Sequence, residues 1–273
     1  MIYTSTIINN QDIILPFDNG NLRYLVVKIL NDSVYEVQCL NNQILLVIKV
    51  SLGDLSGLND DFQLHLNNHK RFVELGIPIY KYQSISLLAE SWTDRKFPIY
   101  GILMEKLVPI KQVIQSTNRT VATSYLIKML RQLIEIIFMY HGYFCHSDIK
   151  PDNIMYCPVK DQFYLIDIET LATEPFLYGF RRECYTKRYC SQSTKYPQVI
   201  TIKNDLIELI GSAISIFKLS ELNHTAHPGN NFFQIDIDML KSSRLGLLLL
   251  SVYDIDERKI TLDNRSQLLA ILT

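Results

Sequence analysis

Paired cysteines, clustered glycines and long apolar runs are what this chain has least of. Its five cysteines, Cys39, Cys145, Cys157, Cys184 and Cys190, are odd in number and widely spread, with no CxxC pair. That argues against a disulfide framework and a zinc site, and favours a reducing compartment. The longest apolar stretch, around Leu245 to Tyr253, is too short to span a bilayer. Met1 to Ser5 show no basic region leading into an apolar core, so no secretory leader is expected. The net charge is -1, which leaves no global field to draw the protein to nucleic acid or an anionic membrane. Internal repeats and low-complexity linkers are absent. The composition is otherwise that of a folded chain: 273 residues, 48% hydrophobic, enough for a substantial core in one two-lobed domain or two small ones.

The most informative stretch is His146-Ser147-Asp148-Ile149-Lys150-Pro151-Asp152-Asn153. It sets an aspartate, a lysine and an asparagine at spacings of two and three residues between apolar segments. Asp167 follows fourteen residues after the asparagine, behind the apolar run Phe163 to Ile166. These residue types suit phosphoryl transfer. An aspartate can orient an attacking hydroxyl and accept its proton, a lysine can neutralise the phosphoryl group in flight, and Asn153 with Asp167 can hold a divalent cation through hard oxygens. The other reading is a polar hairpin between a helix and a strand.

Asp148-x-Lys150-Pro151-x-Asn153 followed by Asp167 resembles the catalytic loop and metal-binding motif of the protein-kinase superfamily. The resemblance runs over roughly residues 22 to 262, and is densest at 146 to 167. It implies an α+β, two-lobed fold in one domain, 1–273. The N-lobe, about 1–106, would be a small antiparallel sheet, and the C-lobe, about 107–273, mainly α-helical. It also implies ATP with magnesium, or manganese, as cofactors.

Leu22 to Leu30, Val34 to Leu40 and Gln43 to Val50 read as three antiparallel strands, separated by the turn formers Asn31-Asp32-Ser33 and Asn41-Asn42. By resemblance the first turn is the kinase phosphate loop, but its glycine positions hold Leu30, Asp32 and Tyr35. Side chains there limit how closely backbone can approach a phosphate. Lys49 resembles the lysine that holds the alpha and beta phosphates; the alternative is an edge-strand lysine reaching solvent. Asp60 to Leu75 should form a helix ending at Gly76, with Asp61 or Gln63 nearest the place of the usual acidic partner of that lysine and Glu74 too late. Pro98 to Leu107 reads as a further strand. Its end, Met104-Glu105-Lys106-Leu107, resembles a kinase hinge, with Met104 as gatekeeper and the backbone of Glu105 and Leu107 meeting the adenine edge.

Val121 to Tyr140 has helical periodicity and would deliver the chain into the catalytic loop. His146 is expected to be structural. Ser147 replaces the arginine that commonly precedes the catalytic aspartate, so activity should not need loop phosphorylation. Asp167-Ile168-Glu169 stands for Asp-Phe-Gly, and its Asp-x-Glu form is also similar to aminoglycoside and choline kinases. Thr186-Lys187-Arg188-Tyr189-Cys190-Ser191 resembles the segment that marks serine/threonine kinases, and Asp205 the helix aspartate that ties back to the catalytic loop. Ser193 occupies the Ala-Pro-Glu acid position, which leaves Arg258 without its usual partner. Arg181, Arg182, Lys187 and Arg188 give either a solvated loop or a preference for acidic or already phosphorylated protein substrates.

The expectation is thus a serine/threonine protein kinase. Asp148 and Lys150 are its catalytic residues; Lys49, Asn153, Asp167, Met104, Glu105 and Leu107 bind nucleotide, and Asn153 and Asp167 hold the metal. The rivals are a pseudokinase acting as a scaffold and a small-molecule phosphotransferase. A protein substrate, no nucleic-acid or membrane partner and a cytoplasmic location complete the reading. The abundance of Asn and Ile suits a viral or AT-rich source.

Overall fold

The computed structural model describes residues 12–17, 20–31, 34–39, 41–51, 60–90, 96–168, 172–173, 176–177, 199–217, 244–256 and 259–273. The chain clusters into two compact units. One comprises Met1–Lys70 with Ile79–Lys106, the other Arg71–Pro78 with Leu107–Thr273.

The first unit is built on six antiparallel strands: β1 (Asp12–Phe17), β2 (Gly20–Asn31), β3 (Val34–Cys39), β4 (Leu45–Ser51), β5 (Tyr82–Glu90) and β6 (Lys96–Glu105). Their order across the sheet is β1-β2-β3-β4-β6-β5. Strand β1, which sequence reasoning did not anticipate, pairs along its whole length with β2, from Asp12 opposite Leu25 to Phe17 opposite Gly20. The turn after β3 forms where two asparagines predict it. The Asn42 side chain accepts the Ile44 amide at 3.1 Å, and the Gln43 amide donates back to the Cys39 carbonyl at 2.8 Å. Asparagine holds such turns because its side chain substitutes for a backbone acceptor.

Alternation decides which face is core. Tyr35, Val37 and Cys39 on β3 are buried, whereas Val34, Glu36 and Gln38 between them are partly exposed. Helix α1 (Asp60–Glu74) follows the sheet's first four strands. It ends as the sequence predicts, on Gly76 at φ 68°. The Ile77 amide donates to the Phe72 carbonyl at 2.9 Å and the Gly76 amide to that of Val73 at 3.0 Å. This closure satisfies the terminal carbonyls and brings two apolar side chains, Phe72 and Ile77, into burial at the helix end.

In the second unit a two-residue strand, β7 (Val108–Pro109), leads into α2 (Ile110–Gln115) and the long α3 (Arg119–Met139). Asn118 caps α3 by accepting the Val121 amide at 3.0 Å. Leu126, Met129, Leu130, Leu133, Ile134 and Ile137 form its buried stripe. Fully burying each such side chain is worth about 1.5–3 kcal/mol. After β8 (Phe144–Cys145), a hairpin of β9 (Ile154–Cys157) and β10 (Gln162–Leu165) is extended by β7 on its other side. Short strands β11 (Ala172–Thr173), β12 (Phe176–Leu177) and β13 (Val199–Ile200) precede helices α4 (Ile202–Phe217), α5 (Arg244–Tyr253) and α6 (Leu262–Ile271). Helix α4 packs on both α3 and α5, and Leu206, Leu209, Ile210 and Ala213 are fully buried on it. No helix among the described residues is long and apolar enough to cross a membrane. Cys39, Cys145 and Cys157 are buried.

Candidate active site

The loop 146–153 has little regular structure of its own, so its shape must be imposed from elsewhere. Helix α4 does this. The Asp205 carboxylate is fully buried and accepts three hydrogen bonds: from the His146 amide at 2.7 Å, the Ser147 amide at 2.9 Å and the Tyr140 hydroxyl at 2.8 Å. One turn on, Glu208 accepts the Ile149 amide at 2.8 Å. One turn further, the Ser212 hydroxyl donates to the Ile149 carbonyl at 3.1 Å. Positions 205, 208 and 212 share one helix face by their spacing, so a polar ladder on an otherwise apolar helix grips the backbone on both sides of Asp148. Burial raises the Asp205 carboxyl above the ordinary carboxylate range, while His146, the two amides and the Tyr140 hydroxyl act in the opposite sense. Burial and then Asp205 itself push the Tyr140 phenol well up, so it remains a donor.

Within that frame the reactive side chains meet. Lys150 Nζ donates to Asp148 Oδ2 at 2.6 Å. Asn153 Nδ2 donates to the Asp148 carbonyl at 2.9 Å and lies 3.4 Å from Asp148 Oδ2. Asp148 is 8% exposed, so its carboxylate is largely desolvated. The 3-10 turn Pro151–Asn153, closed by the Asn153 amide on the Lys150 carbonyl at 2.9 Å, brings the asparagine back to the aspartate.

The β9–β10 hairpin carries the metal-ligand candidates. Ile154 pairs with Leu165, and beyond that pair the Ile166 amide donates to the Asn153 carbonyl at 3.0 Å. Asn153 and Asp167 therefore emerge at the same end of one hairpin. Asp167 has φ 62°, a left-handed conformation that aspartate adopts more readily than most residues other than glycine. His146 Nε2 donates to the Ile166 carbonyl at 2.9 Å, and the ring is fully buried. Its part is to hold the residue before Asp167, in keeping with the structural role the sequence suggests. The Asn153 amide nitrogen is spent on Asp148, which leaves its Oδ1 as the atom open to a cation. No cluster of three or more His, Cys, Asp or Glu that could hold a metal occurs among the described residues. A magnesium ion held here would need its remaining ligands from phosphate and water, which is how that ion is usually bound.

Ser147 carries two irregularities, φ 65° and a buried Oγ with no hydrogen-bond partner. Its backbone is fixed by Asp205, which is why the strain persists.

In the first unit, Lys49 lies on β4 opposite Val34 on one side and Ile102 on the other. Strand β4 is interior, between β3 and β6, so the edge-strand alternative is overturned. Met104 sits opposite Val47 near the end of β6. Glu105 is tied down twice, its amide donating to the Lys81 carbonyl at 3.1 Å and its carboxylate accepting the Lys81 amide at 2.7 Å. Leu107 belongs to the second unit and directly precedes β7. Leu30 is exposed at the end of β2; Tyr35 is fully buried opposite Ile48. Asp32, Glu169, Arg181, Arg182, Thr186, Lys187, Arg188, Ser193 and Arg258 lie outside the described residues, as do the side chains of Asp61 and Gln63. Glu74 is exposed on the last turn of α1.

The residues that sequence reasoning missed are Glu208, Ser212 and Tyr140. Two acids three apart, Asp205 just before the apolar run Leu206 to Ile210 and Glu208 within it, are a legible sign that both face something polar inside. Tyr140, at the end of an apolar helix, gave none.

No protein-family model matches the sequence, and no curated protein matches it. Solved structures do. The chain superposes on vaccinia related kinase 3 with a TM-score of 0.61 at 10% sequence identity, covering 99% of this chain and 94% of that one. It superposes on the ROP18 kinase domain, solved in complex with AMP-PNP and sucrose, with a TM-score of 0.60 at 15% identity, covering 96% and 84%. At such identities the likeness speaks to the fold, and with the six-stranded sheet and the helical second unit it establishes a two-lobed, α+β protein-kinase-like fold.

Proposed function

We propose that the protein is an ATP- and magnesium-dependent serine/threonine protein kinase. The observation that carries this reading is the Asp148–Lys150–Asn153 cluster, desolvated and clamped by α4 on both sides of the aspartate. A structure with no use for that carboxylate gains little by burying it, because a buried charge costs several kcal/mol unless fully compensated. In the reaction, Asp148 orients the substrate hydroxyl and accepts its proton, and Lys150 steadies the transferring phosphoryl group. Lys49 holds the alpha and beta phosphates, and backbone groups of Glu105 and Leu107, next to Met104, meet the adenine edge. Asn153 Oδ1 and Asp167 would hold the magnesium, which supplies neutralising charge to the phosphates. The protein substrate is acidic or already phosphorylated, by the charge of Arg181, Arg182, Lys187 and Arg188.

A second reading, a binding module without catalysis, is favoured by Leu30 and Tyr35 where a phosphate loop would have glycine. Transfer of labelled gamma phosphate from ATP to the protein itself, to casein and to a basic acceptor, with magnesium and separately manganese, decides between them. Incorporation lost in Asp148→Asn establishes the kinase. Equal silence of wild type and variant, with no stabilisation of either by nucleotide, overturns it in favour of the module.

A further inference from the structure

Glu36 and Lys106 form an ion pair in the first unit, Nζ to Oε1 at 2.6 Å. Glu36 is on β3 and Lys106 follows the end of β6, yet these strands are not neighbours: β4 runs between them. Glu36 lies opposite Val47, and Val47 lies opposite Met104. Directly opposed residues share a sheet face, so these three stand in a row on one face, and Lys49, two residues along β4, shares it. Strands are about 4.8 Å apart, so a contact from the end of β6 to β3 must cross about 10 Å of sheet. It crosses on the face of Lys49, over β4. The Glu36 side chain is 13% exposed and that of Lys106 40%, so the carboxylate is the sheltered end of the bridge.

We propose that the Glu36–Lys106 pair is a strap across the stretch of this face where the nucleoside base lies, and that it sets how strongly the protein takes a base-bearing nucleotide relative to bare polyphosphate. This rests on the kinase reading above. With phosphates at Lys49 and the base edge at the backbone of Glu105, the ring covers Val47, where the strap passes. A planar ring and the closed strap compete for the same surface. For the ring to bind, ammonium and carboxylate must separate and regain water, or lose more of it beneath the ring. Phosphate binding at Lys49 asks nothing of the strap.

The test compares dissociation constants for magnesium-ATP and magnesium-tripolyphosphate by calorimetry on the full chain. The proteins are wild type, Glu36→Gln, Lys106→Met and the exchange Glu36→Lys with Lys106→Glu. The single variants change net charge in opposite directions, so simple attraction for anions would move them apart. A strap instead predicts that both raise the preference for ATP over tripolyphosphate, by about two- to fivefold as expected of a part-exposed pair. The exchange, which rebuilds the pair, returns the ratio to the wild-type value. Melting without ligand checks that each variant is folded. Single variants whose ratio is unchanged or lower, in a protein that binds ATP and transfers phosphate, overturn the strap alone. If no version binds either ligand, strap and kinase reading fall together.

Discussion

Glu208 accepts the amide of Ile149, the residue immediately after Asp148, at 2.8 Å. The bond is between a helix acid and a loop amide 59 positions apart in the chain, and its loss strands a buried N–H. Glu208→Ala should therefore cost about 1–3 kcal/mol. Glu208→Gln keeps an acceptor and should recover most of it. Chemical denaturation of the three proteins measures this directly, and a Gln variant as damaged as the Ala variant would mean that the negative charge, rather than the acceptor, is what the loop needs.

Asp205→Asn should be more severe than Glu208→Gln. The carboxylate serves three donors, and the amide that replaces one oxygen would point a donor at a donor. A loss of about 2–4 kcal/mol is expected, read as a lowered denaturation midpoint at unchanged slope.

Ser147→Gly should stabilise the protein by about 1 kcal/mol. Glycine accepts φ 65° without penalty and removes the unpartnered buried hydroxyl, gains that together exceed its own entropic cost of about 0.5–1 kcal/mol. Thermal melting shows it as an upward shift. A downward shift would assign the hydroxyl a partner in solution.

Tyr156 donates to Asp161 Oδ1 at 2.6 Å, and Lys128 pairs with the same carboxylate. Hydrogen bonds from Lys128 and then Tyr156 hold the Asp161 carboxyl below the usual range, and burial followed by Asp161 pushes the phenol up. The depressed acid contributes stability above the ordinary carboxylate pKa and loses it as pH falls through its folded value. The raised phenol contributes below the ordinary tyrosine pKa and loses it as pH climbs through its own. Tyr156→Phe should thus lower the melting temperature slightly near neutrality. The gap should close in acid, as pH falls below the usual carboxylate range and through the lowered folded value of Asp161. A gap that persists into acid would show that ring packing, not the hydrogen bond, is what the phenol supplies.

Gly76→Ala should cost about 1 kcal/mol from the left-handed backbone alone, because an added Cβ meets nothing within 4 Å. A larger loss in chemical denaturation would reveal a steric term.

The sequence was most readable where chemistry dictates residue type. The strands around Lys49, the helix ending at Gly76 and the loop from His146 to Asn153 each carry patterns that few other structures use, and the first two were found within a few residues of their places. Strand β1 escaped because Asp12 to Phe17 contains a proline and little alternation, and it exists by pairing with β2 rather than by preference. The grip of Glu208 and Ser212 escaped because tertiary hydrogen bonds to backbone leave no mark on the sequence of the loop that receives them.

The polar ladder on α4 also has a consequence for the order in which the chain becomes competent. Every group proposed for catalysis is in place by residue 167, yet the loop's amides find their acceptors only at residues 205 and 208. Closing such distant contacts is slow and comes late in folding. During synthesis, when residues emerge at about 5–20 per second, the nascent protein passes through an interval in which Asp148 and Lys150 exist without the scaffold that aligns them. Helix α4 thus supplies the loop's acceptors last, after every residue they hold in place has already been made.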